Sequence, residues 1–368
     1  MQTAPAAVES AETFFLPDMR PNAQTSPQRQ PVDIQAAAGL IAAIQRPSGE
    51  IPWHDGGKTD PWDHVEAAMG LTIGGFTKAA RHAYRWLSAR QLKDGSWYAG
   101  YRDGRPSDRT RDTNFSAYIA VGLFHYYLVT GDLRFVDAQW PTLRAAIDFA
   151  VQHQTRHGDV YWAVSPQGDV DRMALLTGCS AIFMSLKCAL AIARLTGRPQ
   201  PAWQQALAAL GHAIRFKPHR FNMTKSRFSM DWFYPILAGA VTGRAAQERL
   251  DASWKKFVVV GQGVRCVSDQ PWVTLAETSE LILTLAAMGH TDLSHIVFNW
   301  ISEKKFDDGS FWCGFTCPDI VVWPGEKMTW TNAAVLMAAD ALFNLTPAAA
   351  MFNHRFWSTL DDLYARPA

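Results

Sequence analysis

Residues 83–97 read Ala83-Tyr84-Arg85-Trp86-Leu87-Ser88-Ala89-Arg90-Gln91-Leu92-Lys93-Asp94-Gly95-Ser96-Trp97. This is the end of an amphipathic helix, a glutamine at its last turn, a glycine turn and a tryptophan. The phrase returns three times in weaker form. Ile44-Gln45 leads to Gly49 and Ile51; Phe149 and Gln154 lead to Gly158, Val160 and Trp162. Trp300-Ile301 and Lys305, in the glutamine's place, lead to Gly309 and Phe311-Trp312. A helix that repeatedly ends in a glycine turn and an aromatic plug predicts a repeat architecture.

Outward from that phrase the chain alternates helices and loops, with no strand-like alternation of any length. Apolar spacing predicts inner helices beginning near residues 61, 111, 173, 231, 273 and 327, roughly 45–60 residues apart, which is a helical-hairpin period. The segments 114–129, 174–193 and 333–345 are apolar all round, as helices buried on every side must be. Segments such as 132–154 and 203–216 are amphipathic and belong outside. Six buried helices, each with an outer partner, predict an all-α fold, the (α/α)6 toroid: two concentric rings with a bowl at one end. Residues 1–33, rich in Ala, Pro, Gln and Ser without periodicity, are expected to form a loose arm, and 34–368 a single toroid domain.

Composition narrows the partners. Hydrophobic residues make up 48% of the chain, ample for a core, and 35 basic against 34 acidic residues argue against a nucleic-acid surface. Fifteen tryptophans and twenty phenylalanines exceed ordinary usage; beyond filling the core, such rings hold sugars or hydrocarbon. Five cysteines in mostly apolar helical settings suit buried thiols and a reducing compartment. Cys313 and Cys317 could be half of a metal site, but no second pair accompanies them, so neither metal nor cofactor is expected. No apolar run of membrane-spanning length and no secretory signal is read, which makes the cytoplasm the expected location.

The long loops before the inner helices should emerge on one face. They and the helix starts carry Trp53, Trp62, Trp162, Trp323 and Trp330, and each inner helix opens with acids: Asp60, Asp63 and Glu66, then Asp112, Asp171, Asp231, Glu277 and Glu326. Acids in a first turn cap helices. A ring of acids among aromatics is also what a carbohydrate cleft requires. Arg111 and Asp112 are placed to grip an oxygen-rich ligand, and Glu326, beside Lys327, to act as a base. Glu277 and Glu280 lie one turn apart in an apolar segment, where a carboxylate needs a partner or a task. There is no G-x-S-x-G elbow, phosphate-binding loop, dinucleotide fingerprint or H-E-x-x-H helix.

Two resemblances follow. Gln91, Gly95 and Trp97 are similar to the Q-W repeat of the squalene and terpenoid cyclases, whose toroid is shared with the protein prenyltransferases; there the repeat ties neighbouring helices together. The cyclases' acidic proton donor has only Asp169-Val170-Asp171-Arg172 as a counterpart. Residues 105–345 resemble the six-hairpin glycosidases, nearest to the glucoamylase group, through Arg111-Asp112, Tyr161-Trp162 and Thr329-Trp330-Thr331-Asn332. That resemblance implies an oligosaccharide or small-molecule substrate and a pair of carboxylates, yet Ala163 stands where the group has its general acid. The expectation is therefore a glycoside hydrolase or related glycan-processing protein. Arg111, Asp112, Trp53, Trp62, Trp162, Trp323 and Trp330 would bind substrate; Glu326 would be the base, with Asp171 or Glu277 the displaced acid. An isoprenoid-handling toroid and a non-catalytic glycan-binding protein are the alternatives.

Overall fold

A computed structural model describes residues 32–365. The expected arm thus lies, but for its last two residues, outside the described residues. In chain order the helices are α1 (Ile34–Ile44), α2 (Pro61–Ile73), α3 (Thr77–Arg90), α4 (Thr113–Ala117), α5 (Ile119–Thr130), α6 (Leu133–Ala138), α7 (Trp140–Gln152), α8 (Leu176–Leu195), α9 (Pro201–Phe216), α10 (Ser229–Leu237), α11 (Gly243–Phe257), α12 (Leu275–Met288), α13 (Thr291–Ile301), α14 (Thr329–Phe343) and α15 (His354–Ala365). The inner ring runs α2, α5, α8, α10, α12 and α14, each packed on the next and α14 back on α2. Helices α1, α3, α7, α9, α11 and α13 lie outside it, so the all-α toroid expected from the apolar period is what forms.

The reason for the two kinds of helix is visible in their burial. Every residue of α12 from Leu275 to Leu285 is buried, as is every residue of α14 from Ala333 to Asp340. On outer helix α3 only Ala80, Ala83, Tyr84, Trp86 and Leu87 are buried, one stripe at helical spacing. Helix α8 is long and apolar enough to cross a membrane, which the sequence reading did not register; most of its length is buried within the ring.

The quoted phrase is the joint between neighbouring outer helices. Gln91 donates from Nε2 to the carbonyl of Gly95 in its own turn (2.9 Å) and to the carbonyl of Thr142 on α7 (2.8 Å). Gln45 does the same with Gly49 and Ala79 on α3, both at 3.0 Å. Gln154 repeats it with Gly158 and Ala206 on α9, both at 2.9 Å. Gly95 has φ +90°, and a Cβ there would stand 2.1 Å from the carbonyl oxygen of Ala145, so only glycine permits the approach. Gly158 and Gly49 press likewise on the backbone of Ala209 and His82. In the fourth copy Gly309 abuts Ala36 of α1, where the chain's last outer hairpin meets its first. Trp97 plugs the joint, 1% exposed, its indole donating to the carbonyl of Leu87 (2.8 Å).

The loops also form short strands, which the sequence reading did not anticipate. These are β1 (Gly100–Arg102), β2 (Arg105–Asp108), β3 (Arg111–Asp112), β4 (Ala163–Val164), β5 (Val170–Asp171), β6 (Val258–Val259), β7 (Gly263–Arg265), β8 (Trp272–Thr274) and β9 (Gly314–Thr316). None exceeds four residues, too short for an alternating pattern to register. Their antiparallel pairing, β3-β4-β5 and β6-β7-β8-β9, stiffens the lip of the bowl.

Trp97→Ala should cost about 3–5 kcal/mol as truncation of a buried aromatic. Gln91→Ala, losing two hydrogen bonds, should cost about 1–3 kcal/mol. Denaturant midpoints unchanged from the parent would refute the joint.

Candidate active site

Helix α2 opens on Asp60, whose Oδ1 accepts the backbone N–H of Asp63 (2.9 Å) while Oδ2 accepts the indole N–H of Trp53 (2.7 Å). Pro61, at the first helical position, gives up no needed donor. Three-residue spacing then stacks Asp60, Asp63 and Glu66 along one side of the helix. Glu66 is buried, and its Oε1 accepts from the indole of Trp62 (2.6 Å) and the hydroxyl of Tyr118 (3.2 Å). Helix α12 contributes a second acidic side at the same spacing, Glu277 and Glu280. Glu280 Oε1 accepts the hydroxyl of Tyr234 (2.5 Å). The Oε2 atoms of both Glu277 and Glu280 are buried without a hydrogen-bond partner.

Trp62 ties the two sides together. Its ring lies 5.0 Å from that of Tyr118 and 5.8 Å from that of Tyr234. Glu66, Glu280, Tyr118 and Tyr234 line one small interior space together with Met184 and Leu283, a polar floor over an apolar centre. Burial sets the protonation. It raises Glu66 from 4.5 to about 7, against the indole and phenol hydrogen bonds that favour the anion. Burial, with the charges of Glu66 and Glu277, holds Glu280 well above the carboxylate range. Asp63 is half-buried and is also raised well above its ordinary value, first by desolvation and then by the charges of Asp60 and Glu66. The thiol of Cys313 is pushed up to about 12, chiefly by burial and then by the charge of Glu277.

The residues singled out from the sequence divide. Glu277, Trp53 and Trp62 belong to this cluster. Trp330 stands beside Trp53, ring centroids 6.2 Å apart, with its indole N–H buried and unpartnered. Glu326 is exposed on the loop before α14, and its neighbour Lys327 pairs with Asp308 instead. Asp171 is exposed on β5; its Oδ1 accepts the N–H of Met173 (3.1 Å), and its strand partner is Ala163. Arg111 is spent on structure, donating to Asp94 (2.7 Å) in the glycine turn and to the carbonyl of Ser165 (3.2 Å). Asp112 caps α4 through Asn114 and Phe115 and is raised to about 7 by burial. Asp112 also lines a separate cavity of about 140 Å³ with Trp62 and Trp162. Trp323, 60% exposed, packs edge-on against Trp272 at the outer lip.

The sequence reading thus named every acid of the cluster but gave a catalytic role to one, Glu277, and left Asp60 between a cap and a site residue. The signal for the rest was present: Asp60, Asp63 and Glu66 at three-residue spacing, and Glu280 one turn past Glu277. Asp60 proves to cap and to hold Trp53 at once. Carboxylates at several depths, some protonated and some with free lone pairs, can donate to and accept from hydroxyl groups and can move a proton. Among the described residues no group of three or more His, Cys, Asp or Glu side chains is arranged to hold a metal ion.

Comparison with known proteins gives the class first. The fold matches a glycosidase solved with bound glucose, with a TM-score of 0.68 at 16% identity, over 85% of this chain and 96% of that one. A D-mannose isomerase also matches, with a TM-score of 0.64 at 12% identity, over 84% and 97% of the two chains. At these identities the likeness is one of fold. No family model matches the sequence. A curated relative does: the MMP endo-(1,4)-3-O-methyl-α-D-mannosidase of Mycolicibacterium hassiacum, 47% identical over 323 residues, spanning 88% of this chain and 89% of the relative. The chain belongs to the family of that endo-mannosidase, and it is a carbohydrate-active toroid of the glycoside hydrolase kind.

A raised carboxyl is a stability statement. Glu66 binds its proton more tightly folded than unfolded, so its contribution is complete below the unfolded value near 4.5 and is lost as pH rises through about 7. The denaturant midpoint should fall between pH 5 and pH 8. Glu66→Gln, which can still accept from Trp62 and Tyr118, should flatten that fall by up to about 3 kcal/mol. An equally steep fall in the variant would contradict the assignment.

Proposed function

We propose that the protein hydrolyses α-1,4 bonds between 3-O-methylated mannose units, as the name of its relative describes for that enzyme. Asp63 would be the general acid and Glu277 the general base. The observation that carries this reading is a carboxyl on α2 that burial holds toward its protonated form, together with a carboxyl on α12 that has an unpartnered oxygen. Asp63 is half-buried with its carboxyl raised well above the ordinary value, and Glu277, beside the Cys266 thiol, has an Oε2 with no hydrogen-bond partner. The acid must hold its proton near neutrality and the base must have a free lone pair. In the step, the Asp63 proton passes to the glycosidic oxygen as its bond to the anomeric carbon breaks. Water attacks that carbon from the other side and gives its proton to Glu277, inverting the configuration.

Asp60 positions this acid, since its Oδ1 holds the Asp63 N–H and Trp53 holds the other oxygen. Several carboxylates and hydrogen-bonding aromatics in one bowl favour a hydroxyl-rich ligand over a hydrocarbon chain, which would meet charge it cannot satisfy.

Asp63→Asn and Glu277→Gln should each lower kcat on 3-O-methylmannose oligosaccharides at least 100-fold, the scale of general acid–base catalysis, with KM little changed. Glu326→Gln, at an exposed position, should keep parental turnover. Parental kcat in Asp63→Asn, or collapse in Glu326→Gln alone, would move the catalytic pair to the rim.

A further inference from the structure

Beside the acidic floor, and separated from it by the Trp62 ring, lies the cavity of about 140 Å³ formed where α4 and the start of α8 meet the 160–162 loop. Pockets for drug-sized ligands run to about 300–1,000 Å³, so this space suits one ring and not a chain. Its lining is divided in character. Val160, Leu175 and Ile182 give it an apolar side. On the polar side Asn114, 5% exposed, has its Oδ1 buried without a hydrogen-bond partner, and the indole N–H of Trp162 is likewise buried and unpartnered. Neither atom is open to water as the side chains stand, so each side chain must turn to present its acceptor or donor, and a ligand that satisfies both is rewarded.

We propose that this cavity is a saccharide subsite that receives a single O-methylated hexose ring next to the cleavage point. A free hydroxyl of the ring pairs with Asn114 Oδ1 and a ring or hydroxyl oxygen accepts from Trp162. The methyl ether lies against Val160, Leu175 and Ile182, where a bare hydroxyl would find no partner. The proposal deepens the mannosidase reading and rests on it for the identity of the sugar, while its test does not need turnover. Asp112, held largely protonated below about pH 7, lowers the charge that an ether would otherwise meet.

Gly178 gives the means of testing it. It lines the cavity, and a Cβ there would meet only Asn114 Cβ at 3.5 Å and Leu175 Cβ at 3.8 Å, ordinary contact distances. Alanine is also the better helix former, so Gly178→Ala fills space without disturbing the fold.

Ligand-observed NMR titration with methyl 3-O-methyl-α-mannoside and methyl α-mannoside should show the parent preferring the methylated sugar about tenfold, the scale of one methyl in an apolar pocket. Gly178→Ala should weaken the methylated sugar to the level of the other. Asn114→Ala should weaken both alike. Equal affinities for the two sugars in the parent, or unchanged binding in Gly178→Ala, would overturn the subsite. Parental oligosaccharide turnover measured alongside decides the hydrolase reading separately: no hydrolysis with methyl-selective binding would leave the subsite standing and remove the mechanism.

Discussion

The architecture depends on a hydrogen-bonded joint between neighbouring outer helices. A glutamine amide reaches both a carbonyl of its own glycine turn and a carbonyl of the next outer helix, and the glycine lets the two backbones close to contact. Three copies at Gln45, Gln91 and Gln154 repeat the geometry, with both bonds between 2.8 and 3.0 Å. The joint fixes where each helix ends, and therefore where each loop sets out across the bowl. Arg111 shows how far this extends: it is anchored by Asp94, one residue before the turn glycine, and it leads directly into Asp112 and α4.

On that scaffold the inner ring tolerates an unfavourable interior. Glu66, Glu277 and Glu280 are at most 8% exposed, and desolvation opposes the ionisation of Glu66 and Glu280. The protein offsets this in two ways: phenol and indole donors from Tyr118, Tyr234 and Trp62, and retained protons. What it does not satisfy is as informative. Lone pairs on Glu277 and Glu280, the amide oxygen of Asn114 and the indoles of Trp162 and Trp330 are left buried and unpartnered, as are the indoles of Trp86 and Trp254 on outer helices. A stable fold would pair such groups; a binding site keeps those that line it for its ligand.

The rings were legible because helical burial leaves a period in the sequence. Residues 333–340 lack any polar face except Asp340, which Thr346 binds, and such a stretch can only be interior. The glycine joints were legible for the same reason, being repeated. The site was less so. First-turn acids cap helices whether or not they do chemistry, and Asp60 does cap, so its second bond to Trp53 could not be read from composition. Glu326 and Asp171 open their helices in sequence just as Asp63 does. What separates them is depth, a property of how loops and strands fold over the rim, and the strands that set it are too short to register as a pattern. Arg111 was ambiguous for a related cause: an arginine beside a helix start can grip a ligand or brace a turn, and its bond to Asp94 shows only the second.

The central claim is that the α2 and α12 carboxylates face one substrate from opposite sides. The most direct measurement is a crystal structure of the Asp63→Asn variant with a 3-O-methylmannose oligosaccharide bound. The account predicts the glycosidic oxygen within hydrogen-bonding reach of residue 63, and Glu277 on the opposite face of the sugar. The two side chains should stand roughly 6.5–9.5 Å apart with room for a water between Glu277 and the anomeric carbon. An oligosaccharide seated at the rim on Glu326 and Trp323, with the α2 acids untouched, would contradict it.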